Sequence, residues 1–264
     1  MTAYFLGITL PRMAAIEIKL TGYFGWLMES QLTTNITNTC AFFDVDQTIW
    51  SEKSVVSFWI FYLKNKYPES CEEQITQFQR MANDLYLKST PREKLNEWFY
   101  EYCFKGEDLS EIQKFSELWC EQYFKKDNFW HKEVLKKINF HKSLGHLVVL
   151  VSGSFAEILK PLADYIGATD VLCSPLEIKD NRFTGKMLSS PMIGHGKAEA
   201  VLEYITKNKV CTEKSFGYGD DISDLPFMSI LGNSTLIIKD ETEEIRNLST
   251  ILNCQKMYLG KVSP

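Results

Sequence analysis

Apolar and polar positions change their spacing twice along this chain, and the changes outline its organisation. The run CAFFD, Cys40–Asp44, is continuously apolar and ends on a carboxylate, as a strand buried on both faces would be if it delivered a side chain at its carboxyl end. From about 54 to 140 the apolar residues recur at helical spacing, in SVVSFWIFYLKNKY, EEQITQFQRMANDLYL, LNEWFYEYCF and EIQKFSELWCEQYF, which predicts at least four helices and no strand. Within this span Thr90, Pro91 and Glu93 predict a helix start, as N-cap, first helical residue and capping-box partner. After His146 strand and helix patterns alternate. HLVVLVS, DVLCSP, SFGYGD and STLII read as strands, 155–166, 196–208 and the residues after Asp224 as helices, and LEIKDNRFTGKM as a hairpin turning at Asp180 and Asn181. The fold class expected is α/β: a parallel sheet built from 39–53 and 141–264, interrupted by an all-helical insertion over 54–140. Residues 1–38 follow no single period and end in the polar stretch QLTTNITNT, so they read as an N-terminal extension whose apolar pieces could cover a surface patch or a dimer partner.

Composition narrows the function classes. At 45% hydrophobic and 24% charged residues over 264 positions the chain is globular, and its net charge of −5 offers no general cationic field for nucleic acid or anionic lipid. An anionic substrate must therefore be held locally. Seven scattered cysteines form no C-x-x-C pair and no zinc-spaced cluster, which suggests reduced thiols in a cytoplasmic protein. No apolar run is long enough to span a membrane, and the first residues lack the basic segment of a secretory signal.

Four short motifs carry candidate chemistry, each just beyond an expected strand or at a helix start. Asp44-Val45-Asp46-Gln47-Thr48 brings two carboxylates to one strand end, where they need a cation, a raised pKa or both, although acidic turns of this kind also occur without function. Ser152-Gly153-Ser154 suits phosphate binding through a hydroxyl and free backbone N–H groups, and equally suits a plain helix cap. Lys197, at the start of a helix in GHGKAEA, opposes the helix dipole, which slightly favours a phosphate partner, although a lone lysine there is more often a solvated surface residue. In Gly219-Asp220-Asp221-Ile222-Ser223-Asp224 the carboxylates of Asp220 and Asp224 can face one centre across a strand-to-helix turn, as a hard cation requires, while capping alone would explain Asp224.

Taken in this order, DVDQT, VSGSF, GHGKAEA and GYGDDISDLPFM make the chain resemble the haloacid dehalogenase superfamily of phosphatases, in the branch similar to phosphoserine phosphatase, over about 40–238. The resemblance implies a Rossmann-like core with a helical cap inserted after the first strand. It implies a Mg²⁺-dependent phosphomonoesterase acting on a small phosphorylated metabolite through an aspartyl phosphate. Asp44 would be the nucleophile and Asp46 the general acid and base, with Thr48 steadying the turn that carries Asp46. Ser152, Gly153 and Lys197 would hold the phosphoryl oxygens. Asp44, the carbonyl of Asp46 and Asp220 would bind Mg²⁺, with Asp224 orienting them and Asp221 outside the metal shell.

The resemblance also has a limit. Nine positions after Asp44, where phosphoserine phosphatases carry a glutamate for the substrate ammonium, stands Lys53. The cap region that should supply an arginine for the substrate carboxylate offers only Arg92 and Lys94, followed by Trp98 and Phe99. Lys53 is thus a candidate specificity residue disfavouring phosphoserine, unless it merely pairs with Glu52. The many aromatic residues of the cap are expected to be mainly its core. Phosphoserine phosphatase, and a non-catalytic binder of a phosphorylated metabolite, stand as the alternatives.

Overall fold

The computed structural model describes residues 38–240, 242 and 254–259. The extension expected at 1–38 lies, but for Asn38, outside the described residues.

Six parallel strands form one sheet in the order β3-β2-β1-β6-β7-β8. They are β1 (Cys40–Asp44), β2 (Leu147–Ser152), β3 (Asp170–Cys173), β6 (Phe216–Gly219), β7 (Asn233–Ile238) and β8 (Gln255–Tyr258). The period-two geometry of a strand sorts their apolar residues between two cores. Ala41, Phe43, Val148 and Leu150 face one, while Cys40, Phe42, Val149 and Val151 face the other. Both faces are therefore covered, which is why these strands read as unbroken apolar runs. The helices are α1 (Ser54–Lys66), α2 (Cys71–Leu87), α3 (Arg92–Phe104), α4 (Leu109–Tyr123), α5 (Lys132–Ser143), α6 (Ala156–Ile166), α7 (His195–Asn208) and α8 (Leu225–Met228). The chain order is strand and helix in alternation, interrupted after β1 by α1 to α4. Among the described residues no strand of the sheet falls within 54–140.

The hairpin is formed by β4 (Leu176–Lys179) and β5 (Arg182–Met187), with Asp180 and Asn181 both at positive φ (48° and 61°), as a two-residue turn of this kind demands. It stands apart from the main sheet and bonds instead to the connection between α3 and α4: Gly106 N–H donates to the Phe183 carbonyl at 2.7 Å and Phe183 N–H to that of Glu107 at 3.0 Å.

Three expectations need correction. The border at 140/141 falls inside α5, whose Val134 and Ile138 are buried and which packs on β2, so the sheet keeps this helix. The hairpin, expected as part of the core, is bonded to the helical insertion. At α3 the first helical residue is Arg92, Pro91 takes the cap position and no side chain caps the start; Pro91 has neither a capping oxygen nor an N–H for an acidic side chain to bond, so the expected capping box does not form. The short strand β8 has no signature in the apolar pattern, because QKMY is brief and only partly buried.

The cap aromatics pack much as expected. Phe58, Trp59, Tyr62, Phe78, Tyr100, Phe104 and Trp119 are buried in one apolar cluster that also contains Phe43 and Leu150 of the sheet. Tyr86 is the exception, at 61% exposed.

Candidate active site

β1 and β6 are neighbours, and their parallel register pairs Phe43 with Tyr218. One residue further on, Asp44 stands beside Gly219, at the carboxyl edge of the sheet and at the point where strand order reverses. Open α/β sheets place ligands in that crevice. A cavity of about 300 Å³ opens there. Its walls include Asp44, Asp46, Lys53, Ser152, Gly153, Lys197, Asp220 and Asp224, so eight of the residues singled out in the sequence meet at one place. Thr48, the ninth, lies beside them.

Lys197 is the hub. Its Nζ lies 2.5 Å from Asp44 Oδ1 and 2.6 Å from Asp224 Oδ1, and all three side chains are at most 8% exposed. The lysine reaches this position because α7 begins tight against the preceding loop: a Cβ on Gly196 would come within 2.1 Å of the Pro191 carbonyl oxygen. Burial works against the Lys197 charge, but Asp224 and Asp44 outweigh it and raise its pKa. The ammonium is therefore firmly held as a cation.

One cation faces three carboxylates. Asp44, Asp220 and Asp224 each offer an oxygen within 4.8 Å of the others. Burial, reinforced by Asp44 and Asp224, pushes Asp220 up to about 9. Burial and Asp44 push Asp224 up to about 6 against the opposing effect of Lys197. Asp44 is likewise raised, by burial first. Such a trio of hard oxygen donors with surplus negative charge fits a divalent cation such as Mg²⁺.

The members of the trio are not equivalent. Asp224 has both oxygens engaged, Oδ1 with Lys197 and Oδ2 with the backbone N–H groups of Asp220 and Asp221 at 3.2 Å. Its carboxylate is seated where the backbone of Gly219 leaves room, since a Cβ there would lie 2.6 Å from Asp224 Cβ and Oδ2. Asp220 accepts from the Thr48 hydroxyl at 2.9 Å. Thr48, whose N–H donates to the Val45 carbonyl at 3.2 Å, thus ties the turn of Asp46 to the acidic loop.

The Asp46 carboxylate lines the same cavity but is held through one oxygen, Oδ1, by the segment that follows it. It accepts from Trp50 Nε1 at 2.9 Å and from Ser54 N–H at 3.0 Å. Burial raises its pKa, and the bonds from Ser54 and Trp50 oppose the rise. Asp221 caps the short turn 222–224, accepting from Ser223 N–H at 2.9 Å, and forms an ion pair with Arg92 of the cap. Arg92 lowers the Asp221 pKa despite the opposing effect of burial. On the β2 side, Ser152 Oγ accepts from Ser154 N–H at 3.1 Å, which leaves its own hydrogen free to donate. The Gly153 carbonyl is fixed by the Tyr100 hydroxyl at 2.7 Å and by Ser174 at 3.0 Å. Lys53, the residue before α1, is exposed at the cavity rim, and among the described residues no ion pair joins it to Glu52.

Several site residues belong to none of the four motifs. Trp50 and Ser54 orient Asp46, and Tyr100 holds the backbone of the turn after β2 at Gly153. Asn96 lines the cavity although its segment reads as a plain apolar helix. The sequence does carry one signal: Arg92, Asn96 and Phe99 follow at helical spacing and share one face of α3, and all three line the cavity.

The chain matches the model of the haloacid dehalogenase-like hydrolases over residues 41–229. It is 32% identical over 108 residues to a probable phosphatase of Mycobacterium tuberculosis, a match covering 41% of this chain and 37% of that protein. It is 28% identical over 100 residues to a phosphoserine phosphatase of the same organism, covering 38% and 32%. The matches thus span about a third of the length of these two relatives. A solved structure described as a phospho-aspartyl intermediate analogue of phosphoserine phosphatase superposes with a TM-score of 0.55 at 14% identity, covering 85% of this chain and 94% of that one. With its parallel sheet, inserted helices and ordered motifs, the chain belongs to the haloacid dehalogenase-like hydrolases, in the branch that resembles phosphoserine phosphatase.

Proposed function

We propose that the protein is a Mg²⁺-dependent phosphomonoesterase that transfers phosphate to Asp44 and then to water. The observation carrying this reading is the charge arrangement of the cavity: one buried ammonium beside three carboxylates, with a fourth carboxylate held separately. A bound Mg²⁺, held by Asp44, the Asp46 carbonyl and Asp220, would neutralise the phosphoryl oxygens.

The residues divide the work between them. Lys197 and the Ser152 hydroxyl donate to the phosphoryl oxygens, offsetting the repulsion between an anionic ester and an anionic nucleophile. An Asp44 oxygen attacks phosphorus as the ester P–O bond breaks, and the bonding pair leaves with the alcohol oxygen. Asp46, its pKa raised, supplies the proton that the leaving oxygen takes up. It then removes a proton from the water that cleaves the aspartyl phosphate. Trp50 and Ser54 fix the direction in which Asp46 delivers that proton. Asp224 keeps Lys197 and the backbone of Asp220 in place. The helices of 54–123, together with the hairpin, act as the cap that closes over the ester and excludes bulk water.

Lys53 and the engagement of Arg92 by Asp221 speak against phosphoserine as the substrate. A cation stands at the rim where an ammonium would need an acid, and the cap arginine is already paired with a carboxylate. The seven free cysteines suit a reducing, cytoplasmic setting. Among the described residues no helix is long and apolar enough to cross a membrane.

The test is Asp44→Asn assayed on an aryl phosphate with Mg²⁺. Turnover is expected to vanish while the melting profile is retained, and chelation should stop the wild type. If the variant keeps more than about a tenth of the wild-type rate, a barrier change under about 1.4 kcal/mol, Asp44 is not the nucleophile.

A further inference from the structure

Two of the side chains that line the cavity each carry a buried oxygen with no hydrogen-bond partner: Asn96 Oδ1, from α3, and Ser154 Oγ, from the turn after β2. Ser154 as a whole is 1% exposed. A buried polar atom left unpaired is costly and uncommon, and where one persists beside a ligand cavity a ligand atom is its natural complement. Here two residues lining one cavity, on opposite domains, each carry such an atom. Neither belongs to the phosphate-binding or acid-base set described above. Ser154 already spends its N–H on Ser152 and its carbonyl on Ser174, so only the hydroxyl is uncommitted. Asn96 lies against the Tyr100 hydroxyl, which in turn holds the Gly153 carbonyl, so its amide is tied to the phosphate loop rather than free to swing.

The chemistry of the two atoms limits what they can recognise. An amide oxygen accepts only, so its complement is an O–H or N–H donor; a serine hydroxyl can donate or accept. Cationic donors are disfavoured: on the phosphomonoesterase reading Lys197 and Mg²⁺ balance Asp44, Asp220 and Asp224, Arg92 is paired with Asp221, and Lys53 is left as the unbalanced charge at the rim. A carboxylate is disfavoured by the Asn96 oxygen, which would face it acceptor to acceptor. What remains is a neutral hydroxyl donor. The neighbouring cap surface contributed by Val56, Leu95 and Phe99 suits the short carbon chain that carries it.

Resting on the phosphomonoesterase reading, we infer that Asn96 and Ser154 form a leaving-group subsite for a polyol phosphate, an ester whose alcohol carries a further neutral hydroxyl near the phosphate. A site built to bond a hydroxyl discriminates strongly against the analogue lacking it, because the protein's own polar atoms are then left unpaired.

The matched probes are glycerol 1-phosphate and propyl phosphate, which share a three-carbon chain and differ in two hydroxyls. The wild type is expected to prefer glycerol 1-phosphate in kcat/KM by at least tenfold. Asn96→Leu and Ser154→Ala should each reduce that preference at least fivefold, with folding checked by melting curves. Ser154→Ala removes one atom from a well-packed site and so serves if Asn96→Leu does not fold. A wild type that prefers propyl phosphate, or a preference ratio within twofold of wild type in both variants, overturns the subsite. Hydrolysis of an aryl phosphate is the separating control. Its presence with no discrimination defeats this inference alone, and its absence defeats the phosphatase reading and the subsite with it.

Discussion

The crowding of carboxylates around Lys197 makes a prediction about stability that needs no substrate. Asp220 ordinarily ionises near 3.8, and in the folded protein burial, Asp44 and Asp224 push it up to about 9. A carboxyl whose pKa is raised by folding is bound to its proton more tightly in the folded state than in the unfolded one. Its contribution to stability is therefore complete below about pH 4 and is lost as pH rises toward 9. Each pH unit in that window removes about 1.4 kcal/mol, so the metal-free protein gives up about 2 kcal/mol by pH 5 and about 4 kcal/mol by pH 7. Asp220→Asn removes the titrating group and keeps an oxygen to accept from the Thr48 hydroxyl, the side-chain bond that Asp220 makes at 2.9 Å. Urea unfolding in chelator at pH 5, 7 and 9 should show the variant to be the more stable protein, with an advantage that widens as pH rises. Because the trio titrates jointly, neutralising one member also relieves Asp44 and Asp224. Excess Mg²⁺ should stabilise the wild type more than the variant and narrow the gap. A variant that is equally or less stable than wild type at pH 7 and 9 in chelator would refute the charge argument.

Two other perturbations test the framework behind the site. Gly219→Ala places a Cβ 2.6 Å from the Asp224 side chain, so the carboxylate that seats Lys197 must move; about 1–3 kcal/mol of stability and at least tenfold of kcat/KM should be lost, and a kcat/KM within twofold of wild type would contradict the proposed seating. His141, buried between His146 and the Tyr218 hydroxyl and with Lys137 nearby, has its pKa pushed down to about 4 by burial first. The unfolded chain therefore takes up a proton that the folded protein refuses. Stability should fall by about 3 kcal/mol as pH drops from about 6.5 to 4, and His141→Phe should flatten that slope in unfolding curves; equal slopes would exclude His141 as the source.

The strands and the members of the charged cluster are legible in the sequence for the same reason: each strand, and each motif that follows it, is a short local stretch. CAFFD and LVVLVS are apolar at every position because the strands are covered on both faces, and each ends at the residue that enters the cavity. A motif that follows such a strand is therefore marked by its position as well as by its residues. Contacts between separate segments leave no such mark. Trp50 looks like one more aromatic, yet its indole N–H fixes Asp46 while its ring packs against Trp119 and Phe129. The ion pair of Arg92 with Asp221 joins residues far apart in sequence, and no local pattern specifies it. The border of the insertion is hidden because α5 has the same helical period as its predecessors. Only its packing on β2 shows that it belongs with the sheet.

These long-range contacts also explain why the acidic residues divide into two groups. Asp44, Asp220 and Asp224 converge because β1 and β6 are adjacent and in parallel register, and because Gly219 leaves room for Asp224 against the backbone. Asp46 is two residues from Asp44, yet Gln47 adopts a positive φ of 66° and the turn carries the Asp46 carboxylate to Trp50 and Ser54 instead. Were all four carboxylates to face one point, a single lysine could not hold them, and each would resist ionisation. On the proposed mechanism, the turn separates the acid that would exchange protons from the carboxylates that would face the cation. The donors to Asp46 come from the entrance to the first cap helix, so the orientation of its carboxylate depends on where the cap begins. Replacing the loop between Trp50 and Ser54 should consequently disturb the handling of the leaving group before it disturbs the charge balance at Lys197.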